Sequence, residues 1–164
     1  MTKREVSYRA ATDADLPLVQ QTLYLALSWD PDDPIPPFEP VVNHPQIAMY
    51  HADWMRPGDA GVVAEVEGEF AGMSYYRIFT DDNHGQGYMD PQTPELAIAV
   101  VALHRGQGIG QRLMEDLAGV ARAAGIPRIS LSVSPGNPAR RLYERLGYRD
   151  ASDDDPELMV KQLP

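Results

Sequence analysis

The sequence contains no cysteine, which removes disulfide frameworks, thiolate metal sites and thiol nucleophiles from consideration. Histidine is scarce, and His44, His51, His84 and His104 are too scattered to suggest a zinc site, so no metal is expected. No lysine occurs between Lys3 and Lys161, which excludes a phosphate loop that closes on Gly-Lys-Ser/Thr. No apolar run reaches about 18 residues, the least that a membrane span needs. Met1 to Arg9 is polar where a secretory leader would be apolar. These absences lead to the expectation of a cytoplasmic protein with no membrane partner.

The 164 residues suit one domain, 1–164, able to bury about two thirds of the unfolded chain's surface. The formal net charge of −10 is unevenly spread. Through Val100 there are 16 acidic residues against 5 basic, and from Val101 to Pro164 there are 8 against 9. The acidic half disfavours a nucleic-acid partner and suits a cationic substrate, although a solvated acidic surface is the commoner reason for such a balance.

What the chain does have is concentrated in residues 95–124. Leu96 to Leu103 is an unbroken apolar run, short and β-branched, and reads as a strand buried on both faces. Arg105 to Gly110 is a glycine-rich turn. From Gln111 the apolar residues Leu113, Leu117, Val120, Ala121 and Ala124 fall on one helix face, with Gly125 and Pro127 as the stop signal. The first turn of a helix has unpaired amides and about half a positive charge. With Gly106, Gly108 and Gly110 leaving those amides bare, and Arg105 and Arg112 beside them, the turn reads as a cradle for a phosphorylated ligand. A dinucleotide fingerprint is ruled out, since counting Gly-x-Gly-x-x-Gly from Gly106 or Gly108 ends on Gln111 or Leu113.

The remaining pattern, Arg-x-x-Gly-x-Gly over Arg105 to Gly110, resembles the pyrophosphate loop of the GNAT superfamily of N-acetyltransferases. A second stretch, Asn137-Pro-Ala-Arg-Arg-Leu-Tyr143-Glu-Arg-Leu-Gly147-Tyr148, resembles that superfamily's other signature. In many members the asparagine precedes the tyrosine by seven residues, and here the gap is six. The likeness covers residues 61–150 well and the first 60 residues loosely.

The rest of the chain fits a mixed α/β fold. Val6, Tyr8 and Ala10 alternate with polar residues as a first strand, and Thr12 with Asp15 forms a capping box ahead of a helix whose buried face is Leu16, Val19, Leu23 and Leu27. Residues 28–59 hold seven of the prolines and read as a loop-rich insert, with a turn or two of helix between Gln46 and Met55. Gly61 to Val66 and Phe70 to Phe79 form a hairpin about Glu67-Gly68-Glu69. Thr80 to Gln92 is a polar loop. Ile129, Leu131 and Val133 mark another strand, Asn137 caps a helix with Pro138 at its first position, and Glu157 to Leu163 is a last strand. The expected architecture is a GNAT-type twisted mixed β-sheet flanked by helices on both faces.

The resemblance implies an N-acetyltransferase that uses acetyl-CoA as co-substrate and acetylates a primary amine of a small molecule or peptide by direct attack. The alternatives are a CoA-binding sensor without turnover and an acyltransferase that uses a longer acyl-CoA. In the resemblance Ile98 and Val100 pair with the pantetheine arm, and Arg105, Gly106, Gln107, Gly108, Ile109, Gly110 and Gln111 hold the diphosphate. Asn137 caps its helix, contacts pantetheine, or both. A lysine-like amine with a pKa near 10.4 is only about a thousandth unprotonated near pH 7.4, a deficit of about 4 kcal/mol that a base relieves. Glu95 resembles in position the glutamate that takes this proton; read without the resemblance it is an exposed strand-end carboxylate, and Asp90, Glu65 and Asp81 are the fallback bases. Tyr143 resembles the phenol that serves the departing thiolate as general acid. Trp29, Phe38, Tyr50 and Trp54 either line the acceptor pocket or pin the insert to the core. His104 reads as a solvent-facing turn residue. Exposed sheet edges would allow a homodimer.

Overall fold

The structure is a computed structural model and describes residues 4–164. Seven strands form one sheet in the order β1-β2-β3-β4-β5-β7-β6. They are β1 (Val6–Ala10), β2 (Ala60–Val66), β3 (Glu69–Arg77), β4 (Glu95–Val100), β5 (Arg128–Ser132), β6 (Arg149–Ser152) and β7 (Asp155–Gln162). The helices are α1 (Leu16–Leu27), α2 (Phe38–Val42), α3 (Pro45–Ala48), α4 (Ile109–Ala123) and α5 (Ala139–Arg145). All pairings are antiparallel except β4 with β5. β2 and β3 are joined through Glu67 and Gly68, both at positive φ, the turn that suits a tight hairpin.

Strand alternation sends the two faces of the sheet to different helices. Val62, Ala64, Tyr76 and Leu96 join Leu113, Leu117 and Ala121 of α4 in one cluster, and Val63, Met73 and Tyr75 join Val19 and Leu23 of α1 in another. The capping box is present, with the Thr12 amide donating to Asp15 at 2.7 Å and the Ala14 amide donating to the Thr12 hydroxyl at 3.3 Å, but it opens a short 3₁₀ turn that leads into α1. Asp15 also receives both terminal nitrogens of Arg9, at 2.8 and 2.9 Å.

Several expectations change. Leu27 is exposed because α1 ends beyond the sheet's cover, and Val120 lies on the open side of α4, where Ile109, Met114 and Ala118 take the buried positions instead. α4 starts at Ile109 rather than Gln111. β6 was not expected, because Arg149–Ser152 has no apolar pattern and is held as a strand only by pairing with β7. Most consequential, β4 is not buried on both faces. Leu96 is covered, but Ala97 to Val100 are half-buried, and Leu103 lies in a 3₁₀ turn at 73% exposure.

Candidate active site

β4 is half-open because its parallel neighbour leaves it. Glu95 and Ser130 are the one pair in register between β4 and β5. On the other side the pairing with β3 runs the whole length, from Arg77 opposite Glu95 to Gly72 opposite Val100. The Val101 amide donates to Ala71 of β3 at 2.8 Å, so alternation directs the backbone groups of Ile98 and Val100 away from β3 and into the gap. Of these, the Val100 carbonyl accepts Nε of Arg105 at 3.1 Å.

At the foot of the gap the chain turns into α4. Gly106 and Gly108 have φ of 76° and 82°, which side-chain-bearing residues avoid, and a Cβ built on either would meet nothing within 4 Å. Among the described residues none of the six amides from Gly106 to Gln111 donates to a protein group; the first to do so is Arg112, to Gly108 at 3.1 Å. Six free donors at a helix start, with open space before them, fit a diphosphate. Arg105 lies beside them. Arg112 does not: it stacks 4.6 Å over the Tyr8 ring and pairs with Asp116 at 2.9 Å, beside a depression of about 550 Å³ between β1 and α4 that lies apart from this gap. His104 is 8% exposed, because the 3₁₀ turn folds it inward while Leu103 takes the solvent side.

At the other end of β4, Glu95 is 6% exposed rather than a surface carboxylate. It is covered by Tyr50, whose hydroxyl donates to Oε2 at 2.7 Å, and by the loop after β3. That loop passes so closely that a Cβ on Gly87 would lie 2.7 Å from Oε2. Oε1 is buried without a hydrogen bond. Burial raises the carboxyl to about 7, against the opposing Tyr50 hydrogen bond, so the group exchanges its proton near neutrality. The fallback carboxylates are engaged elsewhere: Glu65 with Arg9, Asp81 with the Tyr88 hydroxyl, and Asp90 with Arg128 and Thr93.

Tyr143 sits on the inner face of α5, its ring packed in the α4-side cluster with Ile98, Val100 and Leu142. Burial pushes its phenol up to about 12, so the proton stays on at neutral pH. Among the described residues no protein group bonds its hydroxyl, and the oxygen is not sealed from solvent. The helix starts at Ala139 with Pro138 at the cap position, one residue later than expected, and the Asn137 side chain still serves its first turn, its Oδ1 accepting the Ala139 amide at 3.0 Å. Glu95 and Tyr143 thus flank β4 from opposite faces of the sheet.

The aromatic residues of the insert divide. Tyr50 reaches Glu95. Trp54 meets Tyr75 edge-on at 5.4 Å and donates to the Thr12 carbonyl at 2.9 Å, so it pins the insert to the core, and Phe38 packs on Tyr24. Trp29 is half-buried beyond the end of α1, where no hydrogen bond or ring contact joins it to Glu95. Sequence reasoning missed Arg77, Gly85 and Gly87, which build the Glu95 enclosure. An arginine closing an otherwise apolar strand was a readable signal for Arg77; two glycines in a polar loop were not one. Among the described residues no group of three histidines or carboxylates is placed to hold a metal, and no helix is long and apolar enough to cross a membrane.

An "acetyltransferase of GNAT family" from Staphylococcus aureus has the same fold, with a TM-score of 0.71 at 12% identity over 98% of this chain and 100% of that one. A putative acetyltransferase, yncA, from Salmonella typhimurium, solved with its cofactor acetyl-CoA, gives 0.67 at 21% identity over 98% and 95%. The ribosomal-protein-alanine N-acetyltransferase from Brucella melitensis gives 0.65 at 24% identity over 96% and 99%. The family model described as "Acetyltransferase (GNAT) family" matches residues 25–148. That match takes in the insert, the glycine turn and the Asn137–Tyr148 motif together, and the chain belongs to the GNAT acetyltransferase family, which uses acetyl-CoA.

Proposed function

We propose that the protein is an N-acetyltransferase that moves the acetyl group of acetyl-CoA to a primary amine of a small-molecule or peptide acceptor by direct attack. The observation that carries this reading is Glu95: a carboxylate sealed at the head of the open strand, with one oxygen unpartnered and an affinity for protons matched to neutral pH. Acetyl-CoA supplies an activated acetyl thioester. Gly106 to Gln111 would hold its diphosphate and the backbone of Ile98 and Val100 its pantetheine arm. Glu95 accepts a proton from the acceptor's ammonium, directly or through water, and so frees the amine that attacks the thioester carbonyl, which relieves the deficit of about 4 kcal/mol that a lysine-like amine carries near pH 7.4. Tyr143, protonated at that pH, offers its hydroxyl to the departing sulfur. Asn137 Oδ1 serves the helix cap, which leaves its amide nitrogen for the arm.

The enclosure of Glu95 supports a second reading, a protein that binds acetyl-CoA without transferring its acetyl group. One assay separates the two: release of CoA thiol in the presence of a panel of lysine-like, α-amino and polyamine acceptors, with hydrolysis in their absence as control. Amine-dependent release, lost in Glu95→Gln, supports transfer. Binding without release across the panel supports the second reading.

A further inference from the structure

Glu95 is held by a side chain that the transfer scheme does not use. Tyr50 lies on the segment between α3 and β2, and that segment is fastened to β3. Arg77, fully buried, donates through Nε and Nη2 to Asp59 at 3.0 and 2.9 Å, through Nη1 to the Met49 carbonyl at 2.9 Å, and again through Nη2 to the Asp53 carbonyl at 3.3 Å. Tyr75, two residues earlier on the same face, donates to the carbonyl of Tyr50 itself at 3.1 Å. Within the fastened segment Asp53 and Met55 have φ of 53° and 69°, left-handed conformations that cost a side-chain-bearing residue about 1–2 kcal/mol and that need such a clamp. Arg77 stands directly opposite Glu95 in the β3–β4 register. One strand therefore fixes the backbone of Tyr50, and the next receives its hydroxyl.

The surroundings leave Tyr50 little freedom and Glu95 few partners. The Tyr50 ring meets Phe79 edge-on at 5.3 Å, and a Cβ on Gly85 would lie 1.7 Å from its oxygen. Facing Glu95 are Tyr50 from the insert, Tyr75 and Arg77 from β3, His84 from the loop after β3, and Ser130 from β5. Arg77 is paired with Asp59. The Ser130 hydroxyl is spent on the Gly87 carbonyl at 2.6 Å. α1 carries no charged residue. Tyr50 is the one side chain that hydrogen-bonds the Glu95 carboxylate among the described residues.

We propose that Tyr50 is the positioning residue for Glu95: by occupying Oε2 it fixes the carboxylate at the head of β4 and leaves Oε1, which has no hydrogen bond, to take the proton, and Arg77 holds Tyr50 in place through the Met49–Asp59 backbone. This rests on the reading of Glu95 as the base. The hydroxyl also favours the carboxylate form against a burial that disfavours it, so it keeps the base usable at neutral pH.

The test is the titration of the Glu95 side chain, followed by the ¹³Cδ resonance in glutamate-labelled protein and assigned with Glu95→Gln. The unmodified protein should give a midpoint near 7. Tyr50→Phe should raise it by about one pH unit, the effect of losing one hydrogen bond to a carboxylate. Gly85→Ala, which displaces the hydroxyl rather than deleting it, should move the midpoint the same way. In acetyl transfer Tyr50→Phe should lower kcat about fivefold at pH 7, as that shift requires, with KM for acetyl-CoA unchanged and kcat recovering at higher pH. An unchanged or lowered midpoint in Tyr50→Phe overturns the positioning role. The resonance needs neither acceptor nor turnover, so absent transfer with the midpoint shift intact contradicts only the acetyltransferase reading.

Discussion

Glu95 and Ser130 are the last point at which β4 and β5 run together, and the Ser130 amide is bound there by the Pro94 carbonyl at 3.0 Å. Below that pair the middle strand of a seven-stranded sheet has a neighbour on one side only. A backbone left open at that position loses pairing unless something else supplies it, and an extended amide-bearing chain laid in the gap would do so as an added strand does. The vertex holds a buried carboxylate and the foot holds six free amides.

Replacing Glu95 by glutamine should stabilise the fold in a pH-dependent way. A carboxyl raised from the ordinary 4.5 to about 7 binds its proton more tightly folded than unfolded, so stability falls as pH rises through that interval and the loss is complete above it. The interval corresponds to about 3 kcal/mol. Glutamine keeps the volume and an acceptor for Tyr50 without the charge. Urea unfolding should show Glu95→Gln stabilising by up to about 3 kcal/mol at pH 8 and by little at pH 4.5, while transfer falls by about 10²–10⁴. An equal effect at both pH values would contradict the burial cost.

Tyr143→Phe should separate chemistry from stability. The hydroxyl holds no protein group, so its removal should change unfolding free energy by less than about 0.5 kcal/mol. The transfer rate should fall by about 10²-fold with KM for acetyl-CoA little changed. A melting temperature several degrees lower would instead mark the hydroxyl as structural.

The glycine at the start of α4 is required by its backbone. Gly108→Ala, at a φ of 82°, should cost about 1–2 kcal/mol of stability. Its methyl enters open space before the free amides and should weaken acetyl-CoA binding. Gly119→Ala, in the middle of the same helix and also open, should leave binding unaffected and stabilise slightly. Chemical unfolding and calorimetry of the two variants read both effects.

Asp59→Asn leaves the Arg77 guanidinium buried without its counter-ion. Loss of one member of such a pair costs about 3–5 kcal/mol. The double variant Asp59→Leu/Arg77→Met should recover part of this stability, since it buries no charge, yet it still releases the insert. A double variant as unstable as Asp59→Asn alone would show that the ion pair is not what the single change disrupts.

The strand, turn and helix of residues 95–124 were legible because the chemistry is local: an apolar run, glycines at positive φ and a helix period all lie within one stretch. The same holds for the Thr12 capping box and the turn at Glu67-Gly68. The burial of Glu95 was not legible, because the residues that cover it come from Tyr50, forty-five positions earlier, and from the close passage of Gly85 and Gly87. The half-open β4 was hidden for the opposite reason. Its apolar run reads as full burial, whereas divergence from β5 exposes it, and nothing in either strand's composition marks where they part. β6 shows that polar Arg149–Ser152 becomes a strand through its partner rather than its own pattern.

Whether the glycine turn holds the diphosphate is decided by calorimetric titration with acetyl-CoA of the unmodified protein, beside the variant carrying Gly108→Asp and Gly110→Asp. The variant places one carboxylate in the open space before the free amides, at Gly108, and a second beside Leu142 and Val100, at Gly110. Micromolar binding is expected of the unmodified protein and none of the folded variant. No binding by the folded, unmodified protein, or equal binding by both, would contradict that role of the turn.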